Sequence, residues 1–254
     1  MFMSILLNWP VVLFFVAFIL LAASAQAGAI IEHMTGVLRE EDQDEFAFVL
    51  TATLTLLGLL IGFAFSMSVS RYDQRKTYEE EEANAIGTEY FRCGLLQSPD
   101  AAKLRGLLQQ YLTSRVLFYK IDDSAKLARI ELETSALESQ MWAVVQNGAQ
   151  SRPLAPMALV VSGMNDVFNS RGYTEAAWLN RIPTPAWTLM ALIAICCNAL
   201  LGYRTRRRDG CLLFILPAII ALAFFLIAEI DSPREGLIRV LPVNLLKVSN
   251  SPMG

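Results

Sequence analysis

Four uncharged, apolar stretches, each as long as a membrane-spanning helix, constrain this chain more than any other feature. They are Trp9–Ile31, Phe46–Ser70, Pro185–Tyr203 and Cys211–Ala228, with 23, 25, 19 and 18 residues. A bilayer core about 30 Å thick is crossed by roughly 20 apolar residues of helix. Lipid offers no partner to an unpaired backbone amide, so each stretch is predicted to be a helix. The sequence therefore predicts a polytopic membrane protein with four transmembrane helices.

The composition agrees with this class and argues against several others. Of the 254 residues, 54% are hydrophobic and 18% are charged, and the mean hydropathy is +0.42. The net charge of −3 gives no indication of nucleic-acid binding. His33 is the only histidine, and Cys93, Cys196, Cys197 and Cys211 lack metal-ligand spacing. We therefore expect no metal, no cofactor and no catalytic triad, and we interpret the cysteines as buried free thiols.

The first apolar stretch has an alternative interpretation as a cleaved signal peptide. Residues 23–25, Ala-Ser-Ala, are similar to a small-residue cleavage site. Residues 1–8 contain no Lys or Arg, however, and the apolar run continues past the site to Ile31. We therefore expect this helix to be retained.

The segment after the second stretch is too charged to lie in lipid, with 12 basic and 14 acidic residues in 71–180. Apolar residues recur there at steps of three and four in 104–116, with Arg115 in the same row, and again in 126–145. Breaks are expected at 98–100 and at 148–156. These patterns predict several helices and no strands.

The predicted organisation is all-α, with a helical extramembrane domain between two pairs of transmembrane helices. The regions are 1–70 with transmembrane helices 1 and 2 and a short acidic loop, 71–184 as the extramembrane domain, 185–230 with transmembrane helices 3 and 4, and 231–254 as a C-terminal tail.

The second transmembrane helix is predicted to continue beyond the bilayer, because no breaker occurs between Arg71 and Gly87. Its continuation includes a run of four acidic residues, namely Glu79, Glu80, Glu81 and Glu82. Such a run is most often a solvated face. In a symmetric oligomer it would instead form a ring of negative charge at a channel vestibule.

Two rows of residues run along the second helix at helical spacing. The small and polar row contains Thr51, Thr55, Gly58, Gly62, Ser66 and Ser70, and the bulky row contains Leu56, Leu59, Phe63 and Met67. Gly58 and Gly62 form a GxxxG pattern, which allows close helix packing. In one interpretation the small row packs on a neighbouring helix and the bulky row faces lipid. In the other, the bulky side chains form an apolar constriction of a pore that gates by dewetting.

The membrane orientation rests on the basic residues near the predicted spans. An even number of spans places both termini and the middle segment on one side, which has eight such residues against five on the other. The positive-inside rule then favours a cytoplasmic middle segment. Arg204 and the cluster Arg206, Arg207 and Arg208 lie in the shortest loop, and they favour the opposite orientation.

Several short runs, in order along the chain, resemble the bestrophins. They are LIGF at 60–63, SRYDQR at 70–75, LRGLLQQY at 104–111, RIPTP at 181–185, LGYR at 201–204, LP at 216–217 and AEIDSP at 228–233. The runs EANAIGT at 82–88 and DSPREG at 231–236 resemble hallmark runs of bacterial proteins with a bestrophin-like domain. The resemblance covers most of the chain and implies a bacterial inner-membrane protein.

Bestrophins are pentameric ion channels in which five copies of the second helix line the pore, and their neck is made by three bulky residues spaced four apart. The resemblance implies that Phe63 matches the last of these, while Leu59 stands where Phe is usual and Thr55 where Ile is usual. The neck would therefore be looser and more polar at one end. Animal bestrophins bind calcium after the fourth helix, but Asp231 and Glu235 do not reproduce that acidic cluster, so no calcium site is predicted.

The leading hypothesis is a homo-oligomeric, pentameric channel for inorganic ions, embedded in the lipid bilayer. Its pore would be lined by Thr55, Leu59, Phe63, Ser66 and Ser70. The alternative is a non-conducting scaffold or sensor that binds a protein partner through Glu79–Glu82 and helix 126–145. A membrane enzyme is disfavoured because the predicted spans hold no ionisable residue at depth.

Overall fold

The computed structural model describes residues 7, 9–35, 40–151, 155–205 and 212–251. They form α1 (Pro10–Thr35), α2 (Glu40–Arg92), a 3₁₀ turn (Cys93–Leu95), α3 (Ser98–Lys120), α4 (Ser124–Ser151), α5 (Ala155–Leu179), α6 (Thr184–Arg204), α7 (Leu212–Asp231) and α8 (Val243–Asn250). These residues contain no strand, so the all-α prediction is confirmed.

The four predicted membrane spans are confirmed as helices. Stretches long and apolar enough to cross a membrane lie within Pro10–Met34, Gln43–Leu95, Ala155–Arg204 and Leu213–Asp231. We take residues 46–70 as the membrane-spanning segment of α2, because this part has no charge. Arg39, Arg206, Arg207, Arg208 and Cys211 lie outside the described residues, as does part of the predicted break at 148–156.

The chain divides into two compact units. The membrane unit contains Met1–Arg71 and Arg181–Arg239, and the helical unit contains Tyr72–Asn180 and Val240–Gly254. The stretch 231–254, treated as a tail in the sequence, is therefore shared between them. Helix α2 is uninterrupted where one unit ends and the other begins. The predicted continuation of this helix is thus confirmed, and it passes through Gly87 to Arg92.

Packing in the membrane unit relies on small residues. Helix α1 contacts α6 and α7, and its buried row repeats every four residues, as Leu13, Ala17, Leu21, Ala25 and Ala29. The glycines of this contact come from α1 and α6. A Cβ atom at Gly28 would overlap the carbonyl oxygen of Ala199, and one at Gly202 would overlap that of Ala25. Glycine therefore permits a backbone approach that no larger residue allows.

The core of the helical unit is built from α3, α4, α5, the end of α2 and α8. Its fully buried side chains include Ile86, Leu108, Met141, Met164 and Leu245. Helix α3 begins with Pro99 in its first turn, where a missing N–H costs nothing. This core holds in place the polar side chains described below.

The cysteines differ in their surroundings. Cys93 and Cys197 are buried free thiols, as expected, whereas Cys196 is exposed on the surface of the chain. The expectation of buried thiols is therefore wrong for Cys196. The cause is position on the helix, since Cys196 lies about 100° around α6 from Cys197, on a side that the rest of the chain does not cover.

Candidate functional site

The outward face of α2 in its membrane segment is the surface that the sequence assigned to a pore. The side chains of this segment that are buried within the chain form one narrow row, Leu50, Leu57, Ala64 and Ser68. All five predicted pore residues are exposed, namely Thr55, Leu59, Phe63, Ser66 and Ser70. At 3.6 residues per turn, these five lie on the opposite side of the helix from the buried row.

The membrane segment of α2 is less covered by its own chain than the other three spans are. Only 11% of the apolar window of α2 is buried within the chain, against 33%, 33% and 50% for the other three spans. Leu59 is 52% exposed and Phe63 is 58% exposed. A single chain therefore leaves most of the apolar window of α2 to be covered by lipid, by further copies of the chain, or by the contents of a pore.

The predicted packing glycines lie on the bare part of the helix. A Cβ atom at Gly58 or Gly62 would meet no atom within 4 Å. The GxxxG pattern thus makes no close contact with the described residues of its own chain. A contact with another copy stays a prediction.

The four-acid run has two environments rather than one. Glu80 and Glu81 are exposed, whereas Glu79 and Glu82 are 1% and 0% exposed. The expectation of a solvated face is therefore wrong for Glu79 and Glu82. Their burial follows from position, because residues 79, 82, 83 and 86 share the core face of α2.

Glu79 caps the N-terminus of α8. Its carboxylate accepts the backbone N–H groups of Asn244 at 2.8 Å and Leu245 at 3.0 Å, and the Asn244 side-chain amide at 2.7 Å. The first N–H groups of a helix have no partner within the helix, and a negative charge there is favourable. Glu79 therefore joins the C-terminal segment to α2 within the helical unit.

Glu82 is the centre of a buried polar cluster. Arg115, which is fully buried, donates to both of its oxygens, and the hydroxyls of Tyr119 and Thr174 donate at 3.2 and 3.1 Å. Burial alone would lower the pKa of Arg115, but Glu82 raises it overall, so the guanidinium stays charged. Burial, followed by Glu82, raises the pKa of Tyr119, so its hydroxyl keeps the donated proton.

A second, more exposed layer of ion pairs continues from this cluster. Glu175 accepts from Arg115 at 3.3 Å and from Arg171 at 2.6 Å. Arg171 also donates to Glu138 at 2.7 Å. These contacts connect α3, α4 and α5, so we interpret the cluster as a structural element of the helical unit.

Glu89 is a buried carboxyl group without a hydrogen-bond partner among the described residues. Its nearest cation is Arg92 at 3.8 Å, and Gly163 lies so close that a Cβ atom there would overlap the carboxylate. Burial raises the pKa of Glu89 to about 8, with Arg92 opposing the shift and Asp166 adding to it. The group therefore changes charge near neutral pH.

Two acidic residues near the end of α7 accept hydrogen bonds from backbone N–H groups. Asp231 accepts the backbone N–H of Ile182 at 3.0 Å and lies 3.4 Å from Arg71. Glu229 accepts the backbone N–H of Leu237. Nowhere in the described part of the chain do three His, Cys, Asp or Glu side chains form a possible metal-binding group.

Sequence reasoning missed the Glu82–Arg115 pair and the cap at Glu79, but one signal was available. Arg115 occupies a position in the apolar row of α3, and a charge in such a row implies a buried partner. The partner could not be identified from a local sequence pattern, because Glu82 lies 33 residues earlier in the chain.

Comparisons with known proteins agree with this architecture. Structural relatives include a variant of a bacterial bestrophin homolog from Klebsiella pneumoniae with a tryptophan-to-alanine substitution, at TM-score 0.65 and 13% identity, covering 94% of this chain and 97% of that one. A structure of such a homolog phased with zinc has TM-score 0.60 and 15% identity, covering 94% and 98%. Among curated proteins, no relative matches.

The fold and these relatives define an all-α, integral membrane protein with the bestrophin fold. The family model for the bestrophin-like domain matches residues 16–245. The chain therefore belongs to the bestrophin-like family, and the resemblance noted in the sequence is confirmed.

Proposed function

We propose that the protein is a homo-pentameric ion channel whose pore is lined by the outward face of α2. The observation that supports this proposal is the bareness of α2, since only 11% of its apolar window is covered within the chain. The family membership supports the same class of function. In this arrangement the channel lies in a bacterial inner membrane, with residues 72–180 on the cytoplasmic side.

The proposed pore has an apolar constriction and polar walls. Leu59 and Phe63, repeated around five subunits, would form stacked apolar rings that exclude water when the pore is narrow. Thr55, Ser66 and Ser70 would supply hydroxyl groups to passing ions. The Thr55 hydroxyl donates to the Thr51 carbonyl at 2.8 Å, which leaves its oxygen free to accept. Ion passage does not require any residue to form or break a covalent bond, so we propose a channel rather than an enzyme.

The proposed vestibule has two acidic residues per subunit instead of the four predicted from the sequence. Only Glu80 and Glu81 are exposed, and they continue the helical repeat that includes Ser66 and Ser70. Five subunits would place ten carboxylates in a ring. Such a ring concentrates cations and repels anions near the pore entrance.

Flux through reconstituted liposomes tests this proposal. We expect purified protein to release trapped potassium or chloride, and liposomes without protein to retain them. A pentamer that is silent to both anions and cations would contradict the channel. That outcome would favour the alternative, a membrane scaffold that binds a partner through Glu80, Glu81 and the exposed side of α4. Glu79 and Glu82 are unsuited to such contacts because both are buried.

A further inference from the structure

The end of α2 buries a carboxyl group against the backbone of α5 within the helical unit. The Glu89 side chain is fully buried, and neither of its carboxyl oxygens has a hydrogen-bond partner among the described residues. A Cβ atom at Gly163 would overlap both this carboxyl group and the guanidinium of Arg92. The glycine therefore allows Glu89 to lie directly on α5, and the two helices contact each other here through an acidic side chain.

The charged and titratable groups around Glu89 come from α2, α3, α5 and the 3₁₀ turn. Arg92 of α2 lies 3.8 Å from the Glu89 carboxyl group and 3.8 Å from that of Asp166 on α5. Both distances exceed that of a hydrogen bond, so one cation is shared loosely between two acids. Cys93 of the turn is fully buried; burial and then Glu89 raise the pKa of its thiol, while Arg105 of α3 opposes the rise.

Exposure to solvent increases stepwise away from the buried carboxyl group. The exposed fraction of the side chain is 0% for Glu89, 31% for Arg92 and 62% for Asp166. Water therefore lies one ion pair away from Glu89. A small separation of α5 from the end of α2 would hydrate the carboxyl group, and folded proteins undergo such local openings without unfolding as a whole.

A neutral carboxyl group is tolerated in this contact far better than a carboxylate. Burial raises the pKa of Glu89 from 4.5 to about 8, with Arg92 opposing the shift and Asp166 adding to it. In the open contact the hydrated group would return to its ordinary pKa. Between the two pKa values, the closed contact holds a proton that the open contact has lost. Each pH unit in this window should therefore favour opening by up to about tenfold, and the effect should level off above about pH 8.

We propose that Glu89 and Gly163 form a proton-dependent contact, which holds α5 against the end of α2 while Glu89 is protonated and opens locally when the proton is lost. The 3₁₀ turn that carries Cys93 contacts α5, so opening should uncover the buried thiol. The proposal concerns the helical unit alone and does not depend on whether α2 lines a pore.

Labelling of Cys93 in the full-length protein tests the proposal. Replacement of Cys196, Cys197 and Cys211 by alanine leaves Cys93 as the only thiol. Its rate of reaction with dithiodipyridine is divided by the rate in the same protein unfolded in dodecyl sulfate at the same pH, which removes the effect of thiol ionisation. We expect this relative rate to rise roughly ten- to a hundredfold between pH 6 and pH 8. With Glu89→Gln added, it should stay nearly constant.

A glycine substitution tests the contact without changing a titratable group. Gly163→Ala places a methyl group where Glu89 lies, so the relative rate should already be raised at pH 6, by about tenfold or more. Gly172→Ala is the matched control in the same helix, because a Cβ atom there meets no atom within 4 Å. It should be labelled as slowly as the starting protein.

A second thiol distinguishes local opening from unfolding of the helical unit. Thr134 is fully buried on α4, and Thr134→Cys, in a chain in which Cys93 is also replaced by alanine, reports on the unit as a whole. Its relative rate should stay below that of Cys93 throughout the pH range. Equal rates for the two thiols would overturn the proposal in favour of global unfolding.

Two further outcomes would overturn the proposed contact. A relative rate of Cys93 that is independent of pH would mean that the ionised Glu89 stays in place and pairs with Arg92. The same pH profile in Glu89→Gln as in the starting protein would assign the opening to a different group.

Discussion

Phe63 and Ala64 are adjacent in α2 but lie in opposite environments, with 58% of Phe63 and 3% of Ala64 exposed. The larger, more apolar side chain points away from its own subunit, while a methyl group faces the interior. The inner face consists of Leu50, Leu57, Ala64 and Ser68, which are buried within the membrane unit. The bulky side chains of the outer face are left to contact a pore, other subunits or lipid. Mutation of these side chains should have a different effect in each of these three environments.

Truncation of the proposed constriction should increase ion flux. Phe63→Ala removes a ring of five aromatic side chains, so we expect a severalfold rise in liposome flux because the barrier to water entry falls. Phe65→Ala is the matched control, since Phe65 is also exposed on α2 but points about 160° away from Phe63. Equal effects of the two variants would place the gate elsewhere.

Neutralising the exposed glutamates should change ion preference. We expect Glu80→Gln combined with Glu81→Gln to lower the permeability of cations relative to anions, because the proposed ring loses its charge. The reversal potential under a salt gradient measures this ratio. Glu133→Gln serves as the control, since Glu133 is exposed on α4 rather than on the pore helix. An unchanged reversal potential in the double variant would remove these residues from the ion path.

Breaking the buried ion pair should destabilise the helical unit. Arg115→Met leaves Glu82 buried without its cation, which should cost about 3–5 kcal/mol in the free energy of unfolding. Adding Glu82→Leu should recover much of this loss, because no unpaired charge then remains. The exposed pair of Arg129 and Glu133 offers a control, and Arg129→Met should have far less effect. Denaturant unfolding of the purified protein measures all three. If Arg115→Met were as stable as the unmodified protein, the burial of this ion pair would be contradicted.

Glu89 should make stability depend on pH. Its pKa rises from 4.5 to about 8 in the folded protein, so the folded state holds a proton that the unfolded state has lost. Stability is therefore greatest below about pH 4.5 for this group and falls as the pH rises toward 8, by on the order of a few kcal/mol. Glu89→Gln should remove this dependence and stabilise the protein at pH 8. Melting temperatures between pH 5 and 9 measure it, with Glu80→Gln as an exposed control. Parallel profiles for Glu89→Gln and the unmodified protein would refute the assignment.

Substitution by alanine should have opposite effects on stability at two glycines of the membrane unit. Gly202→Ala places a methyl group against the Ala25 carbonyl, so we expect a loss of about 1–3 kcal/mol. Gly62→Ala meets no atom of its own chain, and alanine is the better helix former by about 1 kcal/mol. Thermal stability of the dissociated subunit in detergent should therefore fall for the first variant and hold or rise for the second. The reverse order would contradict the α1–α6 contact.

Features that depend on local composition were predictable from the sequence. The four spans follow from uncharged runs of sufficient length, and the extension of α2 follows from the lack of a breaker before Gly87. The site was only partly predictable. Glu79–Glu82 read as one charged run, but the helical repeat places Glu79 and Glu82 on the core side and the other two outside. Their partners, Asn244 and Arg115, lie far away in the chain, so no local pattern identifies them.

The central claim is that the outward face of α2 meets its copies around a pore, and an image of the purified protein viewed along the membrane normal tests it most directly. Electron cryomicroscopy in lipid nanodiscs should show five-fold symmetry with Phe63 of each subunit facing an axial hole. A monomer, or a ring in which Phe63 faces the surrounding lipid, would contradict it.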